Sequence, residues 1–418
     1  MNVIGIIAEY NPFHYGHRYH LQEARKKAKA DGVLCVLSGN FLQRGEPALC
    51  DKWARAQMAL SQGVDLVFEL PALYATRSAY WFARGGIEIL TKTGIVSHLA
   101  FGIESSTPSP LFAIAQLLAE EPESYRVRLK HALRKGLSFP QARAQALPPE
   151  LTHQQQLLRS PNNILALTYL QVLREQNSSL IPLPITRKGA GYLDTALKKE
   201  TLPSATAIRK YFTEHSTDFK AALSALKEYL PETTLKILEE QYLAGKAPVS
   251  WSALAPPLLT LLRRTTQNEL RQIIEVSEGL ENRIFKIAQQ VTSLEDFLLC
   301  LKTKRYPATR LQRFLIHLLL NYTKEEEKCL SNGVPYLHLL GYTSRGQQLL
   351  QEIKKRSTLP LITKGAHIKK YLPNNAVLQS FWDFEIRATN LYSPLYPRPS
   401  VRLGNLDYRQ NPVKPLDI

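Results

Sequence analysis

Two histidines stand three residues apart in Asn11-Pro12-Phe13-His14-Tyr15-Gly16-His17, and the glycine between them leaves the main chain open to close approach. Where such a stretch opens a helix, the unpaired N–H groups of the first turn and their partial positive charge face an anion, and both imidazoles can face it too. That arrangement stabilises charge building on a phosphoryl group in transfer, usually the largest catalytic term. Two histidines at this spacing also suit a metal ion, but no acidic or cysteine ligands at suitable spacing accompany them, so no metal site is assigned. A second segment, Leu202-Pro203-Ser204-Ala205-Thr206-Ala207-Ile208-Arg209-Lys210, joins hydroxyls at an N-cap position with cations one turn later, a combination suited to a triphosphate. Read alone, it is equally a serine-capped helix with Arg209 on a solvated face.

The elements around these residues must bring both segments to one place. Residues 3–8 form an apolar run, 16–30 carry apolar positions at helical spacing, and 33–37 are apolar again, which predicts a βαβ opening. The alternation continues with a helix over 53–61, a strand over 64–70, a helix over 78–92, a strand over 98–103 and a further strand over 180–186. Such alternation implies an α/β domain with a doubly wound parallel sheet, whose ligand lies beyond the carboxyl ends of the strands where strand order reverses. That domain is expected over residues 1–212, with a helical insertion at about 108–150 and a helix opened by Ser160-Pro161. Leucine-rich segments over 213–390 predict a mainly α-helical basic domain. Residues 391–418, rich in Pro, Tyr and Arg, predict an irregular extension.

The chain has 418 residues, 44% of them hydrophobic, with a net charge of +17, far from the composition of a disordered chain. No run reaches the roughly 18 apolar residues of a membrane helix, and the N-terminus lacks the cationic opening of a signal peptide, so the cytoplasm is expected. Cys35, Cys50, Cys300 and Cys329 lie singly, encoding neither a disulfide framework nor a zinc knuckle. Residues 1–200 carry +7, residues 201–300 carry −1 and residues 301–418 carry +11. The excess gathers in clusters such as Lys302, Lys304 and Arg305, followed by Arg310 and Arg313, with Lys354-Lys355-Arg356 and Lys369-Lys370 beyond. Tyr306, Tyr371, Phe381 and Trp382 are interleaved among them. That pattern suits a nucleic-acid backbone; short clusters beside Pro and Gly do not form a membrane-surface helix.

A strand, an Asn-Pro turn, His-x-Gly-His and a helix at the first βα crossover together resemble the nucleotidylyltransferase superfamily that includes the class I aminoacyl-tRNA synthetases. In that superfamily a Ser-x-Thr-x-Ile-Arg stretch holds the β and γ phosphates, and Ser204, Thr206, Ile208 and Arg209 match it. More closely, residues 8–17, Ser38-Gly39-Asn40-Phe41-Leu42-Gln43-Arg44-Gly45-Glu46-Pro47-Ala48, Phe101-Gly102-Ile103-Glu104 and Ser160-Pro161-Asn162-Asn163-Ile164-Leu165 resemble the bacterial tRNA(Met) cytidine acetate ligases.

The resemblance implies that ATP, escorted by Mg²⁺, activates acetate to acetyl-adenylate, and that the acetyl group passes to N4 of the wobble cytidine of elongator tRNA(Met) without acetyl-CoA. It implies ATP contacts from Ile7, Ala8, Glu9, Tyr10, Asn11, Pro12, Phe13, His14, Tyr15, Gly16, His17, Arg18, Tyr19 and His20, with catalysis by His14 and His17. Gly102 would admit adenosine, and Asn162 or Asn163, Arg187, Lys188, Ser204, Thr206 and Arg209 would complete the pocket. Lys302, Lys304, Arg305, Arg310 and Arg313 would meet tRNA. Arg44, Asp51 and Lys52 belong either to a loop closing over acetate or cytidine or to an ordinary charged surface. No acetate pocket, general base or protein partner is assigned. Two other functions stay open: a nucleotidylyltransferase adenylylating a small phosphorylated acceptor, and a non-catalytic RNA-binding protein.

Overall fold

The computed structural model describes the chain apart from residues 106, 138, 159, 188–203, 216–217, 304–305, 374 and 417–418, so Lys188, Lys304 and Arg305 lie outside the described residues. Strand β1 (Val3–Ala8) is apolar on both faces and pairs in parallel with β2 (Gly32–Ser38) on one side and β4 (Val96–Ile103) on the other. Next come β3 (Leu66–Leu70) beside β2 and β5 (Ile181–Thr186) beside β4, both parallel. The chain therefore winds outward through β1, β2 and β3, then returns across β1 to β4 and β5. The switch point falls between the carboxyl ends of β1 and β4, where a doubly wound sheet binds its ligand.

The sheet does not end with the first 212 residues. β6 (Leu337–Tyr342) adds antiparallel to β3, and the two-residue β7 (Leu361–Ile362) follows it, giving the order β5-β4-β1-β2-β3-β6-β7. The mainly helical second half thus supplies two strands that helical periodicity did not show. Helices cover both faces. The helix Ala79–Lys92 lies so close to β1 that a Cβ at Gly5 would stand 2.7 Å from Leu90, and one at Gly86 would stand 2.6 Å from Ile7, so both positions need glycine. The insertion is helical over Ser109–Glu120, Glu123–Arg134 and Phe139–Gln145, the first packed on the helix Pro161–Glu175.

Helix α1 (Tyr15–Ala28) follows β1, and helix α2 (Lys52–Leu60) follows β2. Asp51 caps α2, accepting from the Ala54 N–H at 2.9 Å and from the Tyr396 hydroxyl at 3.1 Å. Lys52 is fully buried. Its Nζ stands 2.7 Å from Glu69 on β3, 3.4 Å from Glu385 on the helix Ala376–Tyr392 and 2.5 Å from Asp407 in the C-terminal extension. His338 on β6 joins through its Nδ1, 2.6 Å from Glu69. Neither Asp51 nor Lys52 belongs to a loop that closes over substrate. They fasten the C-terminal half to the sheet because a buried charge is stable only when paired. Burial and the neighbouring Glu69 push the Glu385 carboxyl well above its usual range. The extension has short helical turns and ends against the sheet, where the Val413 N–H donates to Leu340 at 2.8 Å.

Candidate active site

β1 delivers the chain to Tyr10, held at φ +44°, and then to the turn that opens α1. His14 is the N-cap: its Nδ1 accepts the Gly16 N–H at 3.0 Å, while Nδ1 of His17 accepts the His14 N–H at 3.3 Å. This reciprocal box replaces the usual hydroxyl and carboxylate, and it has a chemical consequence. With both Nδ1 atoms acting as acceptors, a neutral imidazole carries its hydrogen on Nε2, so each ring keeps Nε2 as a donor. The rings stack with centroids 3.7 Å apart. Burial and the nearby cations Arg187 and Arg209 lower the His14 pKa to about 3, and burial, aided by His14, lowers that of His17; both are neutral at neutral pH.

Beside this turn a cleft of about 1270 Å³, counted out to solvent, opens over the ends of β1 and β4. Its lining includes Ile7, Ala8, Glu9, Tyr10, Asn11, Gly16, His17, Tyr19, His20, Gly102, Asn162, Arg187 and Arg209. His14 is buried behind His17, and Phe13 packs against the rings of Tyr10 and His17. Pro12, Tyr15, Arg18, Asn163, Ser204 and Thr206 are not in the lining. The Tyr15 N–H is taken by the Tyr229 carbonyl, and Arg18 is exposed. A Cβ at Gly102 would meet Arg187 at 3.4 Å and His20 at 4.0 Å, filling the space between them.

The two asparagines separate cleanly. Asn163 is buried and accepts the Glu104 N–H at 2.9 Å, while Asn162 faces the cleft and accepts from Arg187 at 3.5 Å. Ser204 caps the helix Ala205–Glu214 by accepting the Ala207 N–H at 3.0 Å. Arg209, one turn on, donates to the Asn11 carbonyl at 3.0 Å and pairs with Glu46 at 2.9 Å. The two segments picked out by residue type therefore meet at one cleft.

A match with known proteins decides the family. Residues 1–406 match the family described as HIGH Nucleotidyl Transferase. The chain is 42% identical over 420 residues to the tRNA(Met) cytidine acetate ligase of Syntrophomonas wolfei, covering 99% of each, and 43% identical over 417 residues to that of Acetivibrio thermocellus, covering 98% of this chain and 99% of the relative. The chain belongs to the tRNA(Met) cytidine acetate ligase family. Crystal structures of Thermotoga maritima TmcAL match over 99% of this chain and 100% of that one: an apo form with TM-score 0.93 at 35% identity, and a form bound with alpha-thio ATP with TM-score 0.91 at 34% identity.

Other residues at or beneath the cleft were given no site role from the sequence, although Gln43 and Leu165 lie within runs that carry the resemblance. Arg55 on α2 is fully buried and donates to the carbonyls of Glu9 at 2.6 Å, Ser38 at 3.0 Å, Cys50 at 3.2 Å and also Gly39, clamping the ends of β1 and β2. Its signal, a lone arginine inside an apolar helix, was faint. Gln43, from the loop after β2, lines the cleft and gives its main-chain N–H to a Glu9 carboxylate oxygen at 2.9 Å; Phe82, Leu165 and Tyr169 form an apolar wall.

The basic residues expected to meet tRNA divide. Lys302 is exposed. Arg310 and Arg313 both pair with Glu275, at 3.3 and 3.0 Å, and Arg310 also donates to Ser277 at 3.0 Å, so much of their charge is balanced within the protein. Among the described residues no helix is long and apolar enough to cross a membrane.

Proposed function

We propose that this chain binds ATP in the cleft over β1 and β4, uses it to activate acetate as acetyl-adenylate, and transfers the acetyl group to N4 of the wobble cytidine of elongator tRNA(Met). The observation that carries this reading is the reciprocal His14–His17 turn at the sheet's switch point, in a chain that matches tRNA(Met) cytidine acetate ligases over 98–99% of its length. That full-length match, which includes the basic second half, favours a tRNA acceptor over a small phosphorylated one, and the neutral, donor-bearing histidines favour catalysis over bare RNA binding.

In the first step an acetate oxygen attacks the α-phosphorus in line with the departing pyrophosphate. The Nε2–H groups of His17 and His14 oppose the charge that grows on the phosphoryl oxygens, the N–H groups of the first turn of α1 being taken within the protein, and Arg209 with the Ser204 turn cradles the β and γ phosphates. Gly102 and Asn162 border the adenosine. Holding a small carboxylate and the nucleotide in line supplies much of the remaining acceleration. Mg²⁺ arrives with ATP as part of the substrate. Glu69, His338 and Asp407 lie close enough together to suit a metal ion, but they are closed around Lys52 Nζ and are assigned none.

In the second step the N4 amine displaces AMP, working in the cytoplasm where tRNA is used. Pyrophosphate release from ATP separates the readings: this one expects release with acetate, with AMP release completed by tRNA. Release only with phosphorylated small acceptors would favour the adenylyltransferase alternative, and none at all would favour an RNA-binding protein.

A further inference from the structure

The exocyclic amine of cytidine is a weak nucleophile, because its lone pair is delocalised into the ring. Acylation therefore requires a proton to leave as the N–C bond forms. The histidines of the turn cannot take it. Nδ1 of His14 and of His17 already accepts a main-chain N–H, so Nε2 of each is a donor. His20 has an unpartnered Nε2, but it stands across the gap from Gly102 beside Arg187, on the β4 side where adenosine is placed. Burial and Arg187 lower its pKa to about 4, which makes it a poor base.

Glu9 remains. It is the only acidic side chain among the described residues that line the cleft, and it sits at the end of β1 on the side facing the loop after β2. One carboxylate oxygen is fixed by the Gln43 N–H, and its main-chain carbonyl is held by Arg55. The other oxygen has no hydrogen-bond partner among the described residues. Arg44, Glu46 and Arg209 lie within electrostatic reach, as does the buried Tyr169 hydroxyl.

Resting on the function proposed above, we infer that Glu9 is the general base of the transfer step: it accepts the proton from N4 as the amine nitrogen bonds the acetyl carbon. The acyl C–O bond to phosphate breaks, AMP leaves with that electron pair, N4-acetylcytidine forms, and Glu9 then returns its proton to water. Burial, with Glu46 nearby, raises the Glu9 pKa above that of a free carboxylate, strengthening it as a base. A carboxylate is also a natural acceptor for cytosine N4–H.

The test compares two acceptors of the same acetyl-adenylate: tRNA, which needs the base, and hydroxylamine, which attacks without one. With ATP and labelled acetate, Glu9→Gln should lower the ratio of acetylated tRNA to acetohydroxamate by about 10²-fold, because any loss in adenylate formation affects both products equally. Gln retains an oxygen for the Gln43 N–H. If Glu9→Gln makes neither product, Glu9→Asp serves, with a lowered ratio expected from its shorter reach. A ratio equal to that of the unsubstituted protein in the variant that forms adenylate overturns the inference and leaves the proton to the AMP phosphate. A ratio that falls in His20→Asn and not in the Glu9 variants overturns it in favour of His20. Absence of hydroxamate from the unsubstituted protein would instead contradict the ligase reading itself.

Discussion

Arg209 donates from Nη1 to the main-chain carbonyl of Asn11 at 3.0 Å, joining two segments 198 residues apart in the sequence. The contact fixes the helix Ala205–Glu214 to the turn carrying the histidines, while Nη2 reaches Glu46 at 2.9 Å. A planar fork makes both bonds at once; an ammonium group makes such paired contacts less well. Arg209→Lys should therefore raise the KM for ATP about tenfold in acetate-dependent pyrophosphate exchange, the loss of one charge-assisted bond, with thermal stability little changed. An unaltered KM would remove Arg209 from the triphosphate site.

His14 both caps α1 and bears a donor. Asparagine caps as well as any residue, so His14→Asn separates the two roles: the fold should persist while adenylation slows by about 10²-fold. His14 has a folded pKa of about 3 against an ordinary value near 6.5, and the sign follows. The folded state binds fewer protons than the unfolded one between those values. Its contribution to stability is complete above pH 6.5 and is lost as pH falls toward 3. A melting temperature that falls on acidification from pH 7 to 5, less steeply in His14→Asn, is the expected result. An adenylation rate that follows protonation of a histidine near pH 6.5 would contradict the neutral-donor role.

Among the described residues, Lys52 is the one lysine or arginine paired with Glu69, Glu385 and Asp407. Removing one partner of a buried charge cluster costs about 3–5 kcal/mol, so Lys52→Met should lower the denaturation midpoint sharply. Replacing an exposed lysine such as Lys302 with methionine should not, and equal midpoints in the two variants would mean that the cluster does not hold the halves together.

Lys302 is exposed whereas Arg313 is paired with Glu275. Lys302→Glu should weaken tRNA binding and reduce the steepness of its salt dependence by about one counterion, whereas Arg313→Gln should act mainly on stability. Salt-titrated affinities of the two variants check this, and the opposite pattern would move the RNA surface to Arg313.

The first β–turn–α unit, the strand–helix alternation of a doubly wound sheet and the Ser204 cap were legible in the sequence because each depends on local order: apolar period, turn residues and caps within a few positions. A cleft beyond the strand ends followed from that class of sheet, but its place between β1 and β4 needed the strand order itself. β6 was not legible. A six-residue apolar run such as Leu337–Tyr342 has no period that distinguishes strand from buried helix, and its partner β3 lies some 270 residues earlier. Lys52 and Arg313 resembled surface cations for a similar reason: the carboxylates that pair with them come from distant elements. Asn162 and Asn163, adjacent in sequence and both bonded to Glu104, became distinguishable only when Asn163 was seen to be buried and Asn162 to line the cleft.

In the proposed function, the cleft over β1 and β4 converts acetate, not a preformed thioester, into the acyl donor for tRNA. The most direct test is to incubate the purified chain with isotopically labelled acetate, ATP and elongator tRNA(Met), then locate the label and quantify pyrophosphate. Label is expected on N4 of the wobble cytidine, with pyrophosphate and AMP released in equal amounts to it, and no transfer when acetyl-CoA replaces acetate and ATP. Label arriving from acetyl-CoA without ATP, or AMP joined covalently to a small acceptor, would contradict it.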